Sequence, residues 1–187
     1  MVEMKKLFPS ILVLGLLLSG NAYAVENWKI KKDKDNEFIE ISTEGLDVKG
    51  DKYMLHIKIN GKCNTIEEGF TFYTTKNIPG IMQLSGKKIK IKSMGDIIVS
   101  EIKAVVPVLN GSHHIVWISN GAYELEGHTK FISEKEKNEV KLLVVFDDFE
   151  KKTGWEAKEF FHTTTNSWNL KNVSEAVNQG RKMCLEN

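Results

Sequence analysis

The stretch Tyr53-Met54-Leu55-His56-Ile57-Lys58-Ile59-Asn60-Gly61 decides the fold class. Tyr53, Leu55, Ile57 and Ile59 recur at every second position and form one apolar face of an extended chain; Met54, His56 and Lys58 take the other. A period of two is the signature of a half-buried strand. Asn60-Gly61 then supplies a dipeptide that accepts positive φ at both central positions of a type I′ hairpin turn.

The pattern repeats outward from there. Ile89 and Ile91 oppose Lys88, Lys90 and Lys92; Ile98, Ile102, Ala104 and Val106 share a face, and so do Leu142, Val144 and Phe146. Asn110-Gly111 and Asn120-Gly121 repeat the hairpin signal, and Ser85-Gly86 and Met94-Gly95-Asp96 mark further turns. The middle of the chain is therefore expected to be an antiparallel meander. Near the C-terminus the period changes: Val173, Ala176, Val177, Gly180 and Cys184 form one stripe of a helix, with Ser167 or Asn169 to cap it. Glu134–Asn138 reads as a short exposed helix or a loop. The expected fold is mainly β, an antiparallel β-sandwich or meander sheet with a C-terminal α-helix.

Composition fits this reading. The chain has 187 residues, 26 Lys+Arg against 25 Asp+Glu, 27% charged and 41% hydrophobic. These values describe one globular domain and argue against a strongly basic nucleic-acid binder. Residues 1–24 read as a bacterial secretory signal peptide. Lys5-Lys6 is its basic region, Ile11–Leu18 its apolar core and Ala22-Tyr23-Ala24 its cleavage site. Residues 25–187 are then a single β-rich periplasmic or secreted domain with acid and base in balance and no membrane span. Outside the cytoplasm the even cysteine count favours a bridge between Cys63 and Cys184, stapling the helix to a sheet. Closing so long a loop contributes about 4–5 kcal/mol in the chain-entropy model.

Candidate chemistry is sparse. His113 and His114 are adjacent, so on a strand they point to opposite faces and do not bind one metal together. Asp147-Asp148 with Glu150 reads as a solvated turn. Lys87, Lys88, Lys90 and Lys92 form a basic stripe that either blunts a sheet edge or meets an anionic envelope polymer or lipid headgroup. No nucleophile elbow, phosphate loop or zinc spacing is present, and no cofactor or metal is implied. The candidate binding residues are His113, His114, Trp117, Lys88, Lys90 and Lys92.

Four features together resemble exported bacterial proteins of the type VI secretion accessory (VasI-type) group. They are Trp28, the strand Leu55-His56-Ile57 leading to Cys63, the segment Val116-Trp117-Ile118-Ser119, and Trp168-Asn169-Leu170 followed by Val173, Ala176, Val177 and Cys184. The resemblance implies a small β-rich periplasmic domain with one disulfide and an accessory, non-catalytic role. It brings no catalytic residues, and of the basic–acidic pair such proteins carry before the central strand only Lys103 is present.

The expected function is that of a non-catalytic exported binding or accessory protein whose partner is a protein or envelope component. One alternative is an inhibitor of a hydrolase such as lysozyme, acting through the Asn110–His114 hairpin. A second is a metal- or carboxylate-dependent hydrolase using His113 or His114 with Asp147 or Asp148. A carrier of a small apolar ligand would require a large cavity. Oligomeric state is left open by the sequence.

Overall fold

The computed structural model describes residues 23–76, 78–138, 141–145 and 156–186. Among them, β1 (Tyr23–Val25), β2 (Trp28–Lys32), β3 (Phe38–Glu44), β4 (Lys52–Lys58) and β5 (Thr65–Thr74) run as one antiparallel meander. A second meander comprises β6 (Lys88–Ser93), β7 (Asp96–Val108) and β8 (His113–Glu124). It joins the first through β5 and β8, so the sheet order is β1-β2-β3-β4-β5-β8-β7-β6, continued by β9 (Lys141–Val145) and β10 (Thr165–Asn169). Among the described residues the α-helices are α1 (Leu125–Asn138), the single turn α2 (Ala157–Phe160) and α3 (Val173–Leu185). No described helix is long and apolar enough to cross a membrane.

The inward row of the alternating pattern forms the core. Ile39 pairs with Ile57 and Ile41 with Leu55, and all four are fully buried. Tyr53, Phe70, Phe72 and Trp168 pack as a ring cluster with centroids 5.2–6.5 Å apart. Burying each such side chain contributes on the order of 2–3 kcal/mol. The sheet curls until β10 reaches the β3–β4 connection, where Leu46 N–H donates to Ser167 O at 2.8 Å. α3 lies across β2, β3 and β4 with Val173, Ala176, Val177, Gly180 and Cys184 all buried. A Cβ at Gly180 would stand 2.6 Å from Ile41 Cδ1, so this close approach of helix to sheet depends on glycine. The Cys63–Cys184 disulfide holds the helix to the β4–β5 loop, with Cα atoms 5.9 Å apart. Such a bridge fits a non-cytoplasmic, oxidising compartment.

Local readings differ from the structure at five places. Asn120-Gly121 is no hairpin turn: both residues lie within β8, where Glu68 pairs with Gly121 and Gly69 with Ser119, leaving Asn120 as a bulge. Positive φ (+126° at Gly121) serves a bulge as well as a turn. A second bulge between Ile102 and Ala104 breaks the β7 alternation, so Val105 is buried and Val106 is exposed. In the β4–β5 loop the positive φ angles fall on Lys62 and Cys63, not on Asn60-Gly61. Glu134–Asn138 ends a 14-residue helix, α1, rather than standing alone. Finally, Ser167 and Asn169 belong to β10 and do not cap α3; Glu136 of α1 does so. Its carboxylate accepts from Asn172 N–H at 2.6 Å and from the Ser174 hydroxyl at 2.6 Å.

Candidate functional site

The inward row of β5 runs Ile66, Glu68, Phe70, Phe72, and all four are buried. A carboxylate thus occupies a position the alternation reserves for an apolar side chain. Its immediate support is Tyr53, whose fully buried hydroxyl donates to Glu68 Oε1 at 2.7 Å. Burial, then the adjacent Glu68 charge, pushes the Tyr53 hydroxyl well above the ordinary tyrosine range, so it stays protonated and remains a donor.

α1 brings the second group. Glu124 starts the helix by accepting from Glu126 and Gly127 N–H, and these bonds hold its carboxyl below the usual range. Leu125, His128 and Ile132 form the buried stripe of α1. His128 is 7% exposed, and its Nε2 has no hydrogen-bond partner. That nitrogen lies 3.7 Å from Glu68 Oε2, beyond hydrogen-bond length. Burial lowers the His128 pKa below 6.5 against the opposing pull of Glu68, so the ring is neutral near pH 7.

The third element is the β8 bulge. Asn120 O accepts from the Tyr123 hydroxyl at 2.9 Å, and Asn120 Oδ1 accepts from Ser100 Oγ at 2.8 Å. So held, the Tyr123 ring lies parallel to the His128 ring, centroids 4.3 Å apart. Phe131 continues the aromatic wall 5.9 Å from His128. The β6–β7 turn, with positive φ at Met94 and Gly95, brings Met94 and Ile98 into the lining. Together they enclose a cleft of about 470 Å³. Asp96 and Lys135 also line it, the latter 5.6 Å from the Phe131 ring centroid.

Glu68 and His128, 3.7 Å apart, make no direct hydrogen bond to each other. The arrangement can instead grip a ligand through two converging polar atoms and an aromatic wall. Among the described residues no group of three His, Cys, Asp or Glu is placed to hold a metal ion.

The sequence-derived candidates lie elsewhere. Lys88, Lys90 and Lys92 are exposed on β6, opposite the buried Ile89 and Ile91. His113 stacks on Tyr73, centroids 5.4 Å apart, and shares a 2.7 Å hydrogen bond with Ser112. His114 is buried on the other face of β8. Trp117 lies over Gly69, where a Cβ would be 3.1 Å from its Nε1, and meets the buried His56 edge-on. Asp147, Asp148 and Glu150 lie outside the described residues. Glu68, Tyr123 and Phe131 carried no motif. The available signal was a charged residue in register with Phe70 and Phe72, together with the spacing Leu125, His128, Ile132. Comparison with protein-family models, with curated proteins and with solved structures finds no match.

Proposed function

We propose that the chain is an exported, non-catalytic binding protein of the bacterial cell envelope, and that the cleft between β5, β8 and α1 receives its ligand. The observation that carries this is the buried Glu68 carboxylate, with His128 beside it, in an aromatic-walled cleft. A buried carboxylate is costly unless paired, and a ligand that pairs with it offsets that cost. The bridge, the β-rich scaffold and the helix pinned to it keep the cleft's shape, in keeping with the accessory role that the VasI-type resemblance implies. Export is supported by the 1–24 leader pattern. Cleavage after Ala24 leaves Val25 paired with Trp28 and β2 to β5 untouched.

Native mass spectrometry of the chain purified from the export compartment tests this. The expected result is a small molecule that is released on unfolding and raises Tm when added back. Turnover of ester, glycoside or peptide substrates, abolished by Glu68→Gln, would make the cleft an active site instead.

A second reading, inhibition of a hydrolase such as lysozyme, is favoured by the β7–β8 tip. Leu109, Asn110 and Gly111 all have positive φ, and Leu109 is 66% exposed. A fixed tip with an exposed apolar side chain suits insertion into a cleft. Lysozyme kinetics unchanged by excess protein would dismiss it.

A further inference from the structure

We propose that the cleft recognises a primary ammonium group on an aromatic or aliphatic body. The ammonium seats on Glu68 Oε2, and the body lies against Tyr123, Phe131, Met94 and Ile98. This rests on the reading of the cleft as the ligand site and names the ligand's chemistry.

Two observations select an ammonium. Glu68 is buried, and among the described residues its hydrogen bond is that from Tyr53 to Oε1, while Oε2 lies 3.7 Å from His128 Nε2. A buried carboxylate so sparsely provided calls for a positive partner. An ammonium carries three donors and no acceptor. A hydroxyl has a single proton and brings no charge to Glu68. Last, the lining carries Glu68, Glu124 and Asp96 against Lys135 alone, with His128 neutral. A carboxylate ligand would meet repulsion here, whereas a cation gains from the carboxylates and from the ring faces, as Lys135 over Phe131 shows.

The test uses the full disulfide-bonded chain at pH 7 and three probes of one shape: 2-phenylethylamine, 2-phenylethanol and 3-phenylpropionate. Affinities come from calorimetry, and amide shift changes locate the site. The amine is expected to bind at least tenfold more tightly than the alcohol, and the propionate not to bind. Glu68→Gln should remove the amine's tenfold advantage and leave the alcohol's affinity unchanged. Phe131→Ala, at an exposed wall position, should weaken amine and alcohol alike by threefold or more. Equal or tighter binding of the alcohol or the propionate, sensitive to Phe131→Ala, would overturn the ammonium while the cleft stood as a ligand site. Binding indifferent to Phe131→Ala, or no binding of any probe, would overturn both.

Discussion

Two buried polar clusters share the same core, and they are completed differently. In the first, Asn166 of β10 spends its amide fully. Oδ1 accepts from Asp47, Val48 and Ser167 N–H at 3.1, 3.4 and 2.8 Å, and Nδ2 donates to Val48 O and Asp51 Oδ2 at 3.2 and 2.8 Å. Asp51 in turn accepts from Tyr73 N–H, and the Ser167 hydroxyl donates to Asp47. The second cluster, Glu68 with Tyr53 and His128, leaves a ring nitrogen without a partner and a carboxylate oxygen 3.7 Å away from it. A closed network ties the β3–β4 connection to the far end of the sheet. The open one lies in the aromatic-walled cleft that we propose as the ligand site. An orphan nitrogen alone does not mark it, since His56 Nε2, His114 Nδ1 and Trp168 Nε1 are also buried without partners; the buried carboxylate beside it does.

If that division is right, breaking the closed cluster should cost most. Asn166→Ala removes five hydrogen bonds and leaves Asp51 and several N–H groups short of partners. The expected loss is about 4 kcal/mol of unfolding free energy, read from urea midpoints. Loss of less than about 1 kcal/mol would show that water replaces the amide and that the network is not closed. Asp51 gives a milder probe of the same cluster. Burial raises its pKa from 3.8 to about 6, against the bonds from Tyr73 and Asn166. The folded state therefore binds the proton more tightly than the unfolded state. Its contribution is fully present below about pH 4 and is lost as pH rises through about 6, a span worth roughly 3 kcal/mol. The Asp51 carboxyl resonance should titrate near 6; a midpoint near 4 would mean that the cluster is hydrated.

The legibility of these regions in the sequence follows the same division. Strands such as β4 and β6 were readable because each side-chain position reports which face it takes, and α3 because its stripe switches period. Asn120-Gly121 misled because a bulge and a hairpin turn ask for the same backbone angles, and only the partner strand tells them apart. The α3 cap was hidden because Glu136 lies on another helix, beyond any local motif. The cleft joins β5, the β8 bulge and α1, which are brought together by tertiary packing. Glu68 showed itself only as a charge in an apolar row. His56 illustrates the converse: the second face of β4 is covered by Phe38 at 4.2 Å and Trp117 at 5.6 Å, so the histidine on it is buried too.

Between the extremes lies the helix junction beside the cleft. Glu136→Ala deletes the bonds to Asn172 and Ser174 and leaves the N-terminus of α3 uncapped, with no charge buried as a result. A loss of about 1 kcal/mol is expected. Hydrogen exchange should quicken first at the start of α3, with the disulfide-held C-terminal turn protected as before.

The smallest effect is the sharpest test of the comparison. Glu68→Gln keeps the side chain's shape and an oxygen to accept the Tyr53 hydroxyl, while it sheds a buried charge that has no full partner. Removing such a charge is neutral or stabilising, so the stability change at pH 7 should stay within about 1 kcal/mol, against about 4 for Asn166→Ala. The charge nevertheless acts on its neighbour. Burial already depresses the His128 pKa below 6.5 and Glu68 pulls it back, so the variant should titrate His128 at still lower pH by imidazole NMR. A histidine with a depressed folded pKa contributes stability that is present above 6.5 and lost as pH falls through the folded value, and in the variant this acid loss should grow. An unmoved His128 titration would show that the two groups do not sense each other, and the cleft would then have no shared polar floor.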